Sequence, residues 1–241
     1  MGSEQRVAIV TGASCGIGKS LALSFAEAGI RVAICARTKG ALDDIAKTIN
    51  KDGGECLPIQ TDVTKKKEVQ GMVKKVVDRY GRVDILVNNA GVGNFIPIEE
   101  TSEEEFDRII STNLKGAFLA IQACIPYMRE RGGGQIVNIS SVLGYQGCCD
   151  ASAYCASKWG LRGLTEALRC ELKPSGIKIG LVAPGLTETD YFDDWEIKPA
   201  LHSALKPEDV SSAVMAIACQ SEKSDIKEIL VENIGQGHRH W

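Results

Sequence analysis

Two residues that could transfer a proton stand close together in "DASAYCASKWG" (150–160). Tyr154 and Lys158 are four positions apart, so on a helix they share one face. A fixed ammonium beside a phenol favours the phenolate and lowers a pKa that is about 10 in a free tyrosine. The pair could therefore donate a proton near neutral pH. The alternative is an ordinary tyrosine and lysine on the surface, and the spacing alone favours that alternative.

A glycine-rich stretch, "VTGASCGIGKS" (10–20), lies where a predicted strand gives way to a predicted helix. Gly12, Gly16 and Gly18 have the spacing G-x-x-x-G-x-G. Glycines at such a position allow a tight turn, close approach of the backbone to a pyrophosphate and close packing of helix on strand. The N-terminus of the helix then faces the phosphates. The stretch predicts a nucleotide site, and the alternative is a glycine-rich turn without a ligand.

The residues after the second predicted strand indicate which nucleotide is bound. Sites for NAD usually place an acid about 20 residues after the glycines, where it holds the ribose 2′-hydroxyl. Here "CARTKG" has Ala36 at that position, followed by Arg37. A guanidinium binds a 2′-phosphate well, so we predict NADP(H) rather than NAD(H). The alternative is that Arg37 only begins a solvated loop.

Short β-rich runs alternate with longer amphipathic stretches along the chain. This alternation predicts one α/β domain over residues 1–241, with a mostly parallel, doubly wound sheet of seven strands and helices on both faces. Thr101 and Glu104 predict a capping box at the start of a long helix. The predicted strands are 6–12, 30–36, 55–62, 83–91, 134–141, 177–185 and 227–233, and the predicted helices are 17–28, 41–50, 65–80, 103–129, 152–173 and 207–219.

Composition limits the classes of partner. The 241 residues carry a net charge of −3, which gives no basic surface for nucleic acid. We expect no membrane span, because no apolar run approaches the roughly 18 residues that a span needs. Nine cysteines without a C-x-x-C pair predict a reducing compartment, the cytoplasm. His202, His238 and His240 lack finger spacing to a cysteine pair, so we predict no metal site.

Several motifs appear in a fixed order along the chain: the glycine loop, "NNAG" (88–91), "NISS" (138–141), "YCASK" (154–158) and "APG" (183–185). In these the chain resembles the classical short-chain dehydrogenase/reductase family over nearly its whole length. It is most similar in motifs to the 3-oxoacyl-acyl-carrier-protein reductases. The resemblance implies a Rossmann-type fold and an NADP(H)-dependent oxidoreductase that interconverts a carbonyl and an alcohol.

The resemblance also implies a role for each of four residues. Tyr154 is the expected general acid in reduction, and Lys158 lowers its pKa and holds the nicotinamide ribose. Ser141, thirteen residues before the tyrosine, is the expected partner of the substrate carbonyl. Asn113, in "STNLKG", matches the asparagine that orders a proton-relay water. These are a proton donor, the group that tunes it and a polarising hydroxyl around a cofactor that carries the hydride.

The same resemblance predicts which residues hold the cofactor. Some are expected at the adenosine phosphate, some at the adenine, some along the pyrophosphate and some at the nicotinamide ribose and carboxamide. The predicted set is Gly12, Ser14, Cys15, Gly16, Ile17, Gly18, Arg37, Asp62, Val63, Asn89, Ala90, Gly91, Tyr154, Lys158, Pro184, Gly185, Thr187 and Thr189.

The substrate is less narrowly indicated. A 3-oxoacyl thioester is the first prediction, and Arg129 and Arg131 could dock an acidic carrier protein by charge complementarity. Alternatively, these arginines only favour the dipole of a helix C-terminus. Those reductases usually close with a "V-x-G-G" turn, whereas this chain reads "LVENIGQGHRHW". Reductases of small ketones, sugars or polyols therefore stay open, as does a non-catalytic nucleotide sensor or scaffold.

Two further segments lie near the expected substrate mouth. Residues 187–206 are the expected substrate lid, in which Tyr191, Phe192 and Trp195 either line an apolar pocket or pack the lid down. Cys148 and Cys149 either fill space or supply a thiol that gates access. The resemblance also implies a homodimer or homotetramer that pairs through helices 103–129 and 152–173.

Overall fold

The computed structural model describes residues 5–189 and 203–234. Seven strands form one sheet in the order β3-β2-β1-β4-β5-β6-β7, and every neighbouring pair is parallel. The predicted sheet is confirmed, and it is parallel throughout rather than mostly. The strands are β1 (Val7–Thr11), β2 (Arg31–Ala36), β3 (Cys56–Gln60), β4 (Ile85–Asn88), β5 (Gly134–Ile139), β6 (Ile177–Pro184) and β7 (Glu228–Val231).

Helices cover both faces of the sheet, as predicted. They are α1 (Gly16–Glu27), α2 (Lys39–Lys51), α3 (Lys66–Tyr80), α4 (Glu103–Ile110), α5 (Gly116–Glu130), α6 (Ser152–Leu172) and α7 (Pro207–Ala218). One face is packed by α1, α2 and α7, through side chains such as Phe25, Leu42 and Val214. The other face is packed by α3 and α5, through side chains such as Met72 and Ile121. Burial of these two apolar layers is the main driving force for the fold.

The strand order reverses between β1 and β4. The chain winds from β1 outward to β3, then crosses to β4 on the other side of β1 and continues to β7. In open parallel sheets, ligands bind in the crevice outside the carboxyl ends of the strands at such a reversal. The loops that follow β1 and β4 are therefore where a ligand site is expected, and they contain the glycine loop and "NNAG".

The predicted long helix is interrupted near its middle. A π-helical turn, Ser111–Lys115, joins α4 to α5, and Asn113 lies within it. Together they run from Glu103 to Glu130 with a mean hydropathy of 1.2 over an 18-residue window, which reaches the level of a membrane span. Of that window 44% is buried inside the protein, and length and composition alone are weak evidence for a membrane span.

The predicted cap of this helix was off by one residue. The N-cap is Ser102, whose Oγ accepts a hydrogen bond from the Glu105 amide at 3.2 Å. Thr101 was predicted at that position, but its hydroxyl donates to the carbonyl of Pro97 at 3.0 Å. A hydroxyl held by the preceding turn is not directed at the helix amides, so the next residue caps instead.

Candidate active site

The glycine loop is shaped by close contact with the loop after β4. Gly12 has a φ of +65°, and a Cβ there would lie 2.6 Å from Ala90 Cα. A Cβ at Gly18 would lie 2.6 Å from Asn89 Nδ2. The side-chain amide of Asn89 also donates to the backbone carbonyls of Thr11 and Gly12, both at 3.0 Å. Side chains are therefore excluded at both glycines, and a loop without side chains at these positions allows close approach of its backbone to a pyrophosphate.

The start of α1 suits an anion. Its N-cap residue, Cys15, makes no side-chain hydrogen bond to the helix, and the first turn contains no acid. The first amides of a helix have no partner inside it and carry the positive end of the helix dipole. A phosphate group fits this position, and both the loop and the helix end therefore match the predicted nucleotide site.

The far end of the cleft lies beyond β2 and β3. Arg37 is exposed directly after β2, where its carbonyl accepts from Gln60 Nε2 at 2.9 Å. Burial acts to raise the pKa of Asp62, but hydrogen bonds from Thr64 and the nearby charges of Lys65 and Arg37 hold it below its ordinary value. Asp62 is thus a carboxylate at neutral pH, close enough to Arg37 to feel its charge.

Asn113 is fixed by hydrogen bonds from two other segments. Its Oδ1 accepts from the Val92 amide at 2.8 Å, and its Nδ2 donates to the Val92 carbonyl at 2.8 Å and to Ser157 Oγ at 3.0 Å. The side chain is 2% exposed. The π-helical turn shifts the helix phase, and such turns are frequent at functional sites. Asn113 thereby ties the loop after β4 to α6, which carries Tyr154 and Lys158.

Lys158 is a buried cation beside the predicted proton donor. Its Nζ lies 5.5 Å from the centre of the Tyr154 ring and donates to the Ile139 carbonyl at 2.9 Å. Burial lowers the pKa of Lys158 to about 8. A Cβ at Gly91 would lie 3.7 Å from Lys158 Nζ and 3.5 Å from Asn113 Oδ1, so the "NNAG" loop, the lysine and the asparagine converge. The lysine is charged at neutral pH and faces the tyrosine.

The two serines after β5 have different partners. Ser140 Oγ donates to the Lys158 carbonyl at 3.3 Å, which holds α6 against β5. Ser141 Oγ accepts from the Leu143 amide at 3.2 Å, and Leu143 packs in the same small cluster as Tyr154. Within the described residues, the Ser141 hydroxyl hydrogen has no acceptor and is available to a substrate oxygen. This difference agrees with the choice of Ser141 over Ser140.

The segment 184–189 closes the cleft from the side of β6. The Thr187 hydroxyl is buried and donates to the Gly185 carbonyl at 3.1 Å. Thr189 lies beside the glycine loop, since a Cβ at Gly16 would lie 2.9 Å from Thr189 Cγ2. The predicted cofactor residues that follow β6 therefore reach those on α1. The expected pocket residues Tyr191, Phe192 and Trp195, by contrast, lie outside the described part of the chain.

The two arginines proposed for carrier docking lie away from this site. Arg129 and Arg131 stand at the end of α5, just before β5 begins, whereas Ser141 follows the end of β5. The six residues of β5 separate those two ends of the strand by about 20 Å. Arg129 Nε donates to Ser175 Oγ at 3.1 Å. The arginine pair and the candidate site therefore lie at opposite ends of β5.

Cys148 lies near the tyrosine but is not an activated thiol. It packs with Leu143, Cys155 and Tyr154. Burial, together with neighbouring thiols and Asp150, raises the pKa of Cys148. A reactive thiol needs a lowered pKa, so this environment favours a packing role over a gating role.

Several residues of the site were missed in the sequence. Thr11 Oγ1 accepts from the amides of Asn89 and Ala90, both at 3.1 Å, and so joins β1 to the "NNAG" loop. Asn138, fully buried, accepts from Asn88 Nδ2 and donates to Thr165 Oγ1, both at 2.8 Å, which joins β4, β5 and α6. A polar residue in an apolar strand was the available signal for Asn138. Its partners, Asn88 on β4 and Thr165 on α6, are known only from the folded structure.

Comparison with known proteins identifies the family. The family model described as short chain dehydrogenase matches residues 6–199. The 3-oxoacyl-(acyl-carrier-protein) reductase FabG of Thermotoga maritima is 37% identical over 224 residues, which are 89% of this chain and 91% of that protein. The chain is a short-chain dehydrogenase. The family that the motifs predict is therefore confirmed, and the protein is an oxidoreductase.

Two solved structures superpose closely on the protein. An alcohol dehydrogenase from the archaeon Thermococcus sibiricus, complexed with 5-hydroxy-NADP, is 30% identical with a TM-score of 0.90, covering 98% of this chain and 100% of that one. An actinorhodin polyketide ketoreductase with NADPH is 33% identical with a TM-score of 0.87, covering 96% and 97%. The Rossmann-type fold is therefore confirmed. Both neighbours hold an NADP-type nucleotide.

Proposed function

We propose that this short-chain dehydrogenase is an NADP(H)-dependent reductase that converts the ketone of a 3-oxoacyl thioester to an alcohol. The observation that carries the proposal is the buried Lys158 ammonium, held 5.5 Å from the Tyr154 ring at the edge of the sheet where the glycine loop lies. The similarity to the Thermotoga maritima reductase supports the thioester as the substrate class.

The residues present fit NADP(H). The amides of Gly16, Ile17 and Gly18 at the start of α1 would hold the pyrophosphate, where side chains are excluded from the loop. Ser14 and Arg37 would hold the 2′-phosphate, with no acid at position 36 to repel it. The remaining contacts are proposed for Asp62 and Val63 at the adenine, for 89–91 at the adenosine side, and for Lys158 and 184–189 at the nicotinamide end.

The chain's own residues would transfer the proton and stabilise the negative charge that this transfer leaves. When bound, NADPH supplies the hydride. The Tyr154 hydroxyl donates its proton to the substrate oxygen, and the Ser141 hydroxyl donates a hydrogen bond to the same oxygen. The Lys158 ammonium stabilises the negative charge left on Tyr154. Asn113, fixed by Val92 and Ser157, positions the water through which the proton is replaced.

Turnover of a short 3-oxoacyl thioester tests the proposal. The initial rate of NADPH oxidation is measured for the wild type, for Tyr154→Phe and for Tyr127→Phe, a matched change on α5. We expect Tyr154→Phe to lower kcat by about 10²- to 10⁴-fold, because the general acid is lost, while NADPH binding changes little. Tyr127→Phe should keep wild-type turnover. Full turnover by Tyr154→Phe would refute the mechanism.

The cofactor preference is tested separately. Arg37→Ala should weaken NADPH binding about ten- to a hundredfold, because a charge-assisted contact to the 2′-phosphate is lost. NADH binding should stay within about threefold, and Lys51→Ala, at the other end of α2, should change neither. An equal loss of affinity for both nucleotides, or tighter binding of NADH by the wild type, would contradict the proposed preference.

A second substrate class is supported by the structural neighbours. The Thermococcus sibiricus protein is an alcohol dehydrogenase, so small ketones, sugars and polyols form the alternative panel. Protein that binds NADPH but leaves the thioester unreduced would favour that panel. Protein that binds NADPH and turns over no carbonyl would favour the remaining alternative, a nucleotide sensor or scaffold.

Two exposed aromatic residues support the proposed assembly of copies. Phe118 on α5 is 43% exposed, and Trp159 on α6 is 47% exposed. A homodimer or homotetramer that pairs through these helices would cover both side chains. Light scattering of the wild type and of a Phe118→Glu, Trp159→Glu variant tests this arrangement, and a monomeric wild type would refute it.

A further inference from the structure

Asn233, two residues after β7, joins two distant parts of the chain. Its side chain is buried, and the residue is 7% exposed. Nδ2 donates to the Leu186 carbonyl at 2.9 Å and to the Ser203 carbonyl at 2.7 Å. Leu186 belongs to the segment 184–189, and Ser203 begins the described stretch that leads to α7. One side-chain amide therefore holds both backbone segments together at the place where they meet.

The orientation of this amide follows from its neighbours. Reversing it would direct Oδ1 at two carbonyl oxygens, which repel it. Oδ1 has no hydrogen-bond partner among the described residues, and it occupies the space that a Cβ at Gly185 would need. Glycine at 185 and asparagine at 233 therefore fit each other.

Backbone hydrogen bonds continue this junction in both directions. The Glu188 amide donates to the Leu205 carbonyl, and the Leu205 amide donates to the Leu186 carbonyl, each at 2.8 Å. The Gly185 amide donates to the Val231 carbonyl at 2.8 Å. The segment 184–189 is thus fixed to β7 on one side and to Leu205 on the other, and Thr189 at its end lies against Gly16 of the glycine loop.

We propose that Asn233 is a positioning residue for the cofactor site, because its amide fixes the segment 184–189 in the place from which that segment contacts the nucleotide. The inference rests on the proposed function, which assigns this segment to the nicotinamide end. It also gives a role to the unusual sequence "LVENIG" (230–235). The "V-x-G-G" turn that is usual in the 3-oxoacyl-acyl-carrier-protein reductases would place glycine at this position, and glycine has no side chain to make these hydrogen bonds.

The first test needs no cofactor. Hydrogen exchange of the Glu188 and Leu205 amides is compared among the wild type, Asn233→Ala, Asn233→Ser and Ile234→Ala. Ile234 is the neighbouring residue and is 99% exposed, so Ile234→Ala is the matched control. We expect about tenfold faster exchange in Asn233→Ala, because two hydrogen bonds to the segment are lost. Asn233→Ser keeps one donor and should fall between.

The second test measures NADPH binding by fluorescence for the same variants. We expect the Kd to rise about tenfold in Asn233→Ala and less in Asn233→Ser, with Ile234→Ala unchanged. If Asn233→Ala does not fold, the intermediate effect of Asn233→Ser decides. A lowered unfolding temperature with unchanged exchange and unchanged Kd would show a merely structural role and overturn the proposal.

The fit between Gly185 and Asn233 gives a third measurement. Gly185→Ala should lower the unfolding temperature more in the wild type than in the Asn233→Ala background, because the overlap with Oδ1 is removed there. Equal losses would contradict the packing argument. Wild-type protein that binds no NADPH would refute the proposed function and this inference with it. Binding that is equal in wild type and Asn233 variants would refute this inference alone.

Discussion

Replacing Gly12 by alanine tests whether the glycine loop is shaped by its backbone angle or by contact with the "NNAG" loop. Gly12 and Gly29 both have left-handed backbone, with φ of +65° and +70°. A Cβ at Gly12 would lie 2.6 Å from Ala90 Cα and 2.9 Å from Ala90 N, whereas a Cβ at Gly29 meets nothing within 4 Å. The pair therefore shares the backbone penalty and differs only in the overlap.

The magnitudes follow from these contacts. The left-handed conformation costs a non-glycine residue about 1–2 kcal/mol, and Gly29→Ala should lose about that much stability. Gly12→Ala should lose about 1–3 kcal/mol more, because the overlap is with backbone that the Thr11 hydroxyl holds in place. Urea denaturation measures both losses, and NADPH titration should show weakened binding for Gly12→Ala alone. Equal losses for the two variants would refute the argument from close approach.

Two further predictions concern buried polar groups. NADPH affinity should fall as the pH rises through about 8, because Lys158 then loses its charge. Lys158→Met should remove that pH dependence, and a wild-type affinity that stays constant up to pH 9.5 would contradict the prediction. Without NADPH, Lys158 loses its proton near pH 8 in the folded protein but only near pH 10.5 in the unfolded chain. Between these two pH values the unfolded chain binds more protons than the folded protein, so the contribution of Lys158 to the free energy of unfolding rises with pH. Asn138→Leu should lower the free energy of unfolding by about 2–4 kcal/mol in urea denaturation, because it strands the polar groups of Asn88 and Thr165; a loss below about 1 kcal/mol would show that the network is weak.

The order of strands and helices could be predicted because its signals are local. Apolar periodicity and the glycines at each turn are read within a few residues, and they place the glycine loop after β1 without knowledge of the rest of the chain. The family resemblance added the site residues that no local pattern assigns, such as Asn113. What these signals share is that each depends on neighbours in sequence.

The features that were missed depend on neighbours in space. The π-helical turn brings Asn113 to Val92 and Ser157. The pattern of apolar residues in "IISTNLKG" does not indicate that turn. Ser102 rather than Thr101 caps α4 because the Thr101 hydroxyl is engaged by Pro97. Either residue type can cap a helix, so the sequence left the choice open.

The position of Lys158 explains why its charge can serve the neighbouring tyrosine. In the described part of the chain no carboxylate pairs with it, and burial alone accounts for its lowered pKa. Its ammonium contacts the neutral Ile139 carbonyl and the Tyr154 ring. A carboxylate here would stabilise the ammonium but would also cancel its field at the phenol. The fold instead accepts the cost of a buried cation, and the uncompensated charge acts on the group four residues away.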